Sequence, residues 1–328
     1  MKTTLMKSIL FSGLFGLGML SATAQDSFGS GANAFSIDFV GIGNPGNLAQ
    51  SSDNRSHGES GGDGYGSVGY EYRISTYAIS TAMMEKADAE AGLGFTQTTR
   101  TADQPATVVN WNQAARFVNF LNEQAGYSHA YKFEHQPGDD GYGSSQNIQL
   151  WDINDPGYDA NNLFRNANAY YFLPSEDEWY KAAYYDPSTG NYSLYATGSD
   201  TAPTAVSGGT DPDTAVFGQS NQQGPADVDN AGGLSFYGTM AQGGNTWEWL
   251  ESAFDGVNNV GNEARSYRGG PWNAGESELR SSIRYSQSVG LGTGTTGFRV
   301  ASIPEPSTMV MLFVFLGASA LVLRGRKG

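Results

Sequence analysis

The chain contains no cysteine in 328 residues, and that absence limits its fold more than any motif does. No disulfide framework can brace its loops, and no thiolate metal site can organise a small domain. Stability has to come from a packed core. The material for one is aromatic, with 18 Tyr, 17 Phe and 6 Trp beside 44 Gly, which predicts an aromatic core interrupted by many turns.

Both ends read as targeting segments. Lys2 and Lys7 precede an apolar stretch from Ile9 to Leu20, and Ala22-Thr23-Ala24 gives the small-x-small pattern of a signal peptidase site. Export with cleavage after Ala24 is the expectation. At the other end, Met309 to Leu323 is an apolar run closed by Arg324, Arg326 and Lys327. It is short of the roughly 20 residues of a straight membrane helix, and snorkelling basic residues make it a marginal span. Pro304-Glu305-Pro306 separates that run from the residues before it, since two prolines disfavour a continuous helix. These three features in this order resemble the PEP-CTERM sorting signal. The resemblance implies a precursor anchored transiently in the inner membrane and processed by an exosortase-type partner. It also implies a product in the cell envelope or outside the cell, often in bacteria that make extracellular polysaccharide. A plain C-terminal anchor is the alternative.

The ends hold five of the 18 Lys and Arg and one of the 33 Asp and Glu, so the remainder is more acidic than the chain's −15. Such a surface repels phosphate backbones, which excludes nucleic acid as a partner class. Residues 25–303 show no tandem repeat and no compositional linker, so the expected organisation is a 1–24 signal peptide, one domain over 25–303, and a 304–328 sorting segment.

Within that domain, alternation over Phe35–Val40 and Tyr70–Ile74 predicts strands, with Gly43–Gly66 an exposed, mobile loop between them. Ser80 or Thr81 caps a helix stopped at Gly92. Ala114, Val118, Leu121 and Ala125 form one apolar stripe on a second helix, with Asn112 as candidate N-cap. Ser175 and Glu178 form a capping box for a third after the short strand Tyr170–Leu173. Strands are expected over Ser266–Gly269, Leu279–Arg284 and Gly297–Ala301. The acidic stretch Asp152–Asp159 reads as a solvated loop rather than a calcium loop, because it lacks EF-hand spacing.

Five segments in register resemble the formylglycine-generating-enzyme, or sulfatase-modifying-factor, domain family. They are Val109-Asn110-Trp111-Asn112, Phe172 to Trp179, Gly244-Asn245-Thr246-Trp247-Glu248-Trp249, Arg268-Gly269-Gly270-Pro271-Trp272 and Gly297-Phe298-Arg299-Val300. The resemblance implies an α+β fold, a C-type lectin-like variant with a small antiparallel sheet, few helices and much irregular loop. It also implies a structural calcium ion at Asn245, Thr246 and Glu248, whereas the family's second calcium region, near Thr201-Ala202-Pro203, lacks a convincing ligand set. Read from the residues alone, Trp247 and Trp249 share one face of an extended segment as core, and Glu248 on the other face needs solvent, an arginine or a cation. Ser175 to Glu178 reads as a helix start and nothing more.

The family's oxidase binds copper through two cysteines placed between the Arg-Gly-Gly and Gly-Phe-Arg motifs. No thiol occupies that interval here, so copper is not expected and formylglycine generation is excluded. The three histidines, His57, His129 and His135, fall in loops and make a weak case for iron. No His-Glu-x-x-His or phosphate loop is present. Two readings follow. The first is a non-catalytic binding or structural module outside the cell, its partner a cell-surface glycan or exopolysaccharide, with Trp272, Tyr267 and Tyr285 as aromatic contacts for sugars or peptides, or, for Trp272 above all, as core. The second is an enzyme with a rebuilt pocket, with or without a metal, in which Arg268, Arg280 and Arg284 converge with a carboxylate in a concavity on an extracellular peptide or saccharide.

Overall fold

The computed structural model describes residues 24–96, 99–142 and 147–304. Strands β1 (Ala24–Phe28), β2 (Phe35–Ile42) and β3 (Tyr72–Ser75) lead into helices α1 (Thr81–Ala91) and α2 (Trp111–Ala125). A ribbon of β4 (Lys132–Phe133) and β5 (Ile148–Gln149) follows, then β6 (Tyr171–Phe172) and α3 (Glu176–Tyr184). After a second ribbon, β7 (Thr204–Val206) with β8 (Thr214–Val216), the described chain has no further α-helix. It continues as β9 (Trp247–Ala253), β10 (Arg265–Arg268), β11 (Tyr285–Gln287), β12 (Thr296–Phe298) and β13 (Ala301–Ser302). The result is two sheets with three α-helices. One sheet runs β1-β2-β3-β13-β6 and the other β11-β10-β9-β12.

The helices begin where the cap chemistry puts them. Ser80 accepts from the Met83 amide, and Gly92 ends α1 in the left-handed region at φ 62°. For α2 the cap is Asn110, two residues before the expected Asn112, because Asn110 and Gln113 close a reciprocal capping box. Trp111 and Asn112 are therefore already helical and buried. The Ser175–Glu178 box on α3 forms as expected.

Two expectations change. Leu279–Arg284 is not a strand: Glu276–Leu279 makes a 3-10 turn and pairing resumes only at Tyr285. The Gly43–Gly66 segment is tied down, not simply exposed. Tyr192 and the Asn47 side chain both bond the Gly66 carbonyl, and Tyr180 donates to Gln50.

The Gly297–Ala301 segment serves both sheets. β12 pairs parallel to β9, and three residues later β13 inserts between β3 and β6. Each link from β1 to β2, β2 to β3 and β3 to β13 is antiparallel. The start of β1 and the end of β13 therefore emerge at the same end of that sheet. Ala24 is in β1, and Pro304 is exposed just past β13. The rest of both targeting segments, including Glu305 and Pro306, lies outside the described residues. No helix among the described residues is long and apolar enough to cross a membrane.

The core is aromatic as expected. Trp111, Trp179, Trp249, Tyr72, Tyr131, Tyr180, Tyr184 and Tyr192 are all fully buried. Unexpectedly, Arg265, Arg268 and Arg299 are buried with them.

Candidate functional site

Strand alternation gives the second sheet two chemically different faces. In register, Trp249 of β9 lies opposite Tyr267 of β10, and Tyr267 lies opposite Tyr285 of β11. On the other face Glu248 lies opposite Arg268. One face is an aromatic row; the other is ionic and covered by α3.

The ionic face is built from the acidic residues at the start of α3. Glu176 accepts from Arg268 Nε (2.6 Å) and from Arg284 Nε and Nη2 (2.8 and 2.7 Å). Arg268 also donates to the carbonyls of Ser281 and Ile283. Glu178 closes the capping box and accepts both Nη groups of Arg165 at 3.0 Å, while Arg165 Nε reaches Glu251 at 2.8 Å. Burial opposes the charge on Arg165, but Glu178 and Glu251 outweigh it and hold the guanidinium more basic than usual. Burial likewise pushes Glu178 up, and Arg165 overrides it, leaving the carboxyl below its ordinary value. Asp177 has no such partner. Burial drives it up to about 6, against one hydrogen bond from the Gly66 amide, and the neighbouring Glu176 and Glu178 add to the rise.

Glu248 meets an arginine. Arg299 donates to both of its oxygens, at 2.6 and 2.7 Å, and Trp179 Nε1 adds a third bond at 2.6 Å. The guanidinium spends its other donors on the carbonyls of Ser75, Thr76 and Met240. Asn245, at φ 64°, accepts from the Ala226 amide and donates back to the Ala226 carbonyl. Thr246 donates its hydroxyl to the carbonyls of Thr295 and Trp247. These three residues do not fit a calcium ion as placed, because a cation there would have to share Glu248 with a fully buried guanidinium. Among the described residues no group of three His, Asp or Glu is placed to hold a metal.

The four residues expected to line a pocket are dispersed. Arg268 and Arg284 do converge on a carboxylate, Glu176, but beneath the surface. Arg280 lies at the surface on Glu59 and Tyr195. Trp272 is 2% exposed in a small cluster with Val216, Ala226 and Met240, under the Arg100 guanidinium.

The concavity near the Arg-Gly-Gly motif is instead lined by Trp247, Tyr267, Tyr285, Pro271, Ser277 and Glu278, with a volume of about 460 Å³. It is a shallow shelf at the open end of the aromatic row. Tyr267 and Tyr285 are near-parallel (29°) at 6.0 Å, and Trp247 stands edge-on to both at 5.3 and 5.4 Å. Tyr285 is 42% exposed and Trp247 is 8% exposed. Gly270 sets the shelf floor: its φ is 85°, and a Cβ there would meet the Glu278 carbonyl at 2.9 Å. Only glycine permits that approach, which brings the Glu276–Leu279 turn beside Tyr285. No His, Lys or Arg lines the shelf.

One histidine does meet a serine elsewhere. His57 Nε2 is 3.5 Å from Ser281 Oγ, but its Nδ1 accepts the Glu59 amide, which places the proton on Nε2. That tautomer cannot take a proton from a buried serine.

The five landmark segments thus form one scaffold. The helix-opening motif of α3, the Trp247–Trp249 strand, the double glycine and the Gly-Phe-Arg strand meet through Glu248, Arg299, Glu176 and Arg268. The Val109–Asn112 segment joins them where Trp249 Nε1 donates to the Val109 carbonyl and Trp111 Nε1 to that of Leu250. The Sulfatase-modifying factor enzyme 1-like domain matches residues 58–303. The chain belongs to this family. Similar folds among solved structures include Treponema denticola variable protein 1, at 18% identity and TM-score 0.56, covering 85% of this chain and 99% of that one. The structure titled CarF has 17% identity and TM-score 0.57, covering 82% and 99%. PvdO from Pseudomonas aeruginosa has 14% identity and TM-score 0.50, covering 85% and 98%. At these identities the likeness is one of fold. No curated protein matches the sequence. In this family member, the motifs that identify the domain are spent on buried ion pairs, while the shelf is formed by Trp247, Tyr267, Tyr285 and Glu278. The sequence points to Tyr267 and Tyr285 as contacts and to Trp247 as core, and Trp247 is indeed buried while it borders the shelf. Glu278, one carboxylate among many, carries no signal in the sequence.

Proposed function

We propose that the protein is an exported, non-catalytic binding module that holds polysaccharide at the cell surface through its aromatic shelf. The observation that carries the reading is a shelf of three rings, with Tyr285 exposed at its rim beside a carboxylate, lined by no histidine, lysine or arginine. Exposed rings gain from covering an apolar sugar face, and the lining supplies neither a paired acid and base nor an activated nucleophile. The C-type lectin-like label belongs to the same reading. So do the signal cleaved after Ala24 and sorting at Pro304-Glu305-Pro306 by an exosortase-type partner, with transient membrane anchoring. Their support is in the sequence.

Affinity electrophoresis of the purified protein in gels containing exopolysaccharide tests the function. Retardation that is lost in Tyr285→Ala is expected. Equal mobility with and without polysaccharide, or stoichiometric iron or copper in the purified protein, would contradict it.

A further inference from the structure

We propose, resting on the reading of the shelf as a polysaccharide site, that the unit it holds is an amino sugar with a free, protonated amine. The pyranose face lies on Tyr267 and Tyr285 and the ammonium on Glu278. Four glutamates of the interior are matched by arginine: Glu176 by Arg268 and Arg284, Glu178 and Glu251 by Arg165, and Glu248 by Arg299. At the surface, Glu59 and Glu276 share Arg280. Glu278 forms no ion pair among the described residues, although it belongs to the same turn as Glu276. It is the shelf's one charged side chain. It also lies close enough to Tyr285 to help burial hold that phenol above its ordinary value.

A carboxylate without an ion-pair partner beside the exposed Tyr285 ring favours a ligand with an apolar body and one positive charge. The chain's net charge of −15 works in the same direction, repelling acidic polysaccharides and drawing in basic ones. Ring geometry decides between a sugar and a lysine side chain. The three rings contact one another, with centroids 5.3 to 6.0 Å apart, so no gap between them can enclose an ammonium group. The cation has to sit at the rim on Glu278, leaving the outward ring surfaces for a flat body such as a pyranose. Ser277 on the shelf lining offers a hydroxyl partner for sugar hydroxyls.

Calorimetry with the purified protein at mildly acid pH tests this, using a glucosamine oligomer, its N-acetylated counterpart and an oligolysine peptide of equal charge. The glucosamine oligomer is expected to bind about fivefold more tightly than the acetylated one, the worth of one half-exposed ion pair. Glu278→Gln should erase that preference with the melting temperature unchanged, and Tyr285→Ala should weaken both sugars. Equal binding of both sugars with sensitivity to Tyr285→Ala would overturn the amino-sugar assignment and leave the polysaccharide site standing. Binding of neither sugar would overturn both. Oligolysine binding as tightly as the glucosamine oligomer would make the shelf a basic-peptide site and overturn the assignment.

Discussion

At the scale of single residues, the interior is decided by whether a buried charge finds a partner. Glu248 and Arg299 form a fully buried bidentate pair, and breaking such a pair from one side costs about 3–5 kcal/mol, whereas replacing both members with apolar groups costs far less. Glu248→Leu and Arg299→Met should each be strongly destabilising in urea unfolding. The double variant should recover most of the loss, and additive losses would contradict the pair. Asp177 is the opposite case. An aspartate that binds its proton more tightly folded than unfolded stabilises the fold while protonated. That contribution is complete below its ordinary value of 3.8 and is lost as pH rises through about 6. Asp177→Asn keeps an oxygen for the Gly66 amide and removes the charge. It should add about 1–2 kcal/mol of stability at pH 8, after allowance for a half-buried side chain, and nothing at pH 3. Thermal melts across that range check the sign.

Among the elements, α3 shows what was legible in the sequence and what was not. Its start could be read because a cap is local: Ser175 and Glu178 are three residues apart and bond each other's backbone. The partners of its acids could not be read, because Arg165 is 13 residues from Glu178, and Arg268 and Arg284 are 92 and 108 from Glu176. Ser175→Ala should therefore cost about 1 kcal/mol, and Glu178→Ala about 3–5 kcal/mol, because it also strands Arg165. Equal losses in denaturant titrations would mean that Glu178 acts only as a cap. The failed strand at Leu279–Arg284 has a similar cause. Leu279 and Ile283 would share one face of an extended segment, but Glu59 takes Arg280 and Ser282 and the Leu194 carbonyl takes the Ser281 amide, leaving nothing for a neighbouring strand. Glu278 became a site residue only through that turn.

Across the whole molecule, the missing cysteines are offset by an interior of rings and matched charges that ties the two sheets together through α3 and the Gly297–Ser302 segment. The family resemblance was readable because its landmarks are the residues of this scaffold. The shelf was only half readable, since its residues come from three strands and a turn that the fold alone brings together. At the far edge of the first sheet, Asp26 anchors β1 to Arg73 and Tyr171, so the first residues after the expected cleavage site are structural. Asp26→Ala should remove the bonds by which Arg73 and Tyr171 hold β1 and lower the melting temperature by several degrees.

The most direct measurement asks whether the aromatic shelf meets a ligand. Trp247 borders it edge-on to both tyrosines, so its emission reports occupancy. Titrating exopolysaccharide into the protein should give a saturable change in tryptophan fluorescence that disappears in Trp247→Phe. A flat titration, or a change that survives in Trp247→Phe, would contradict the claim that this shelf is the binding site.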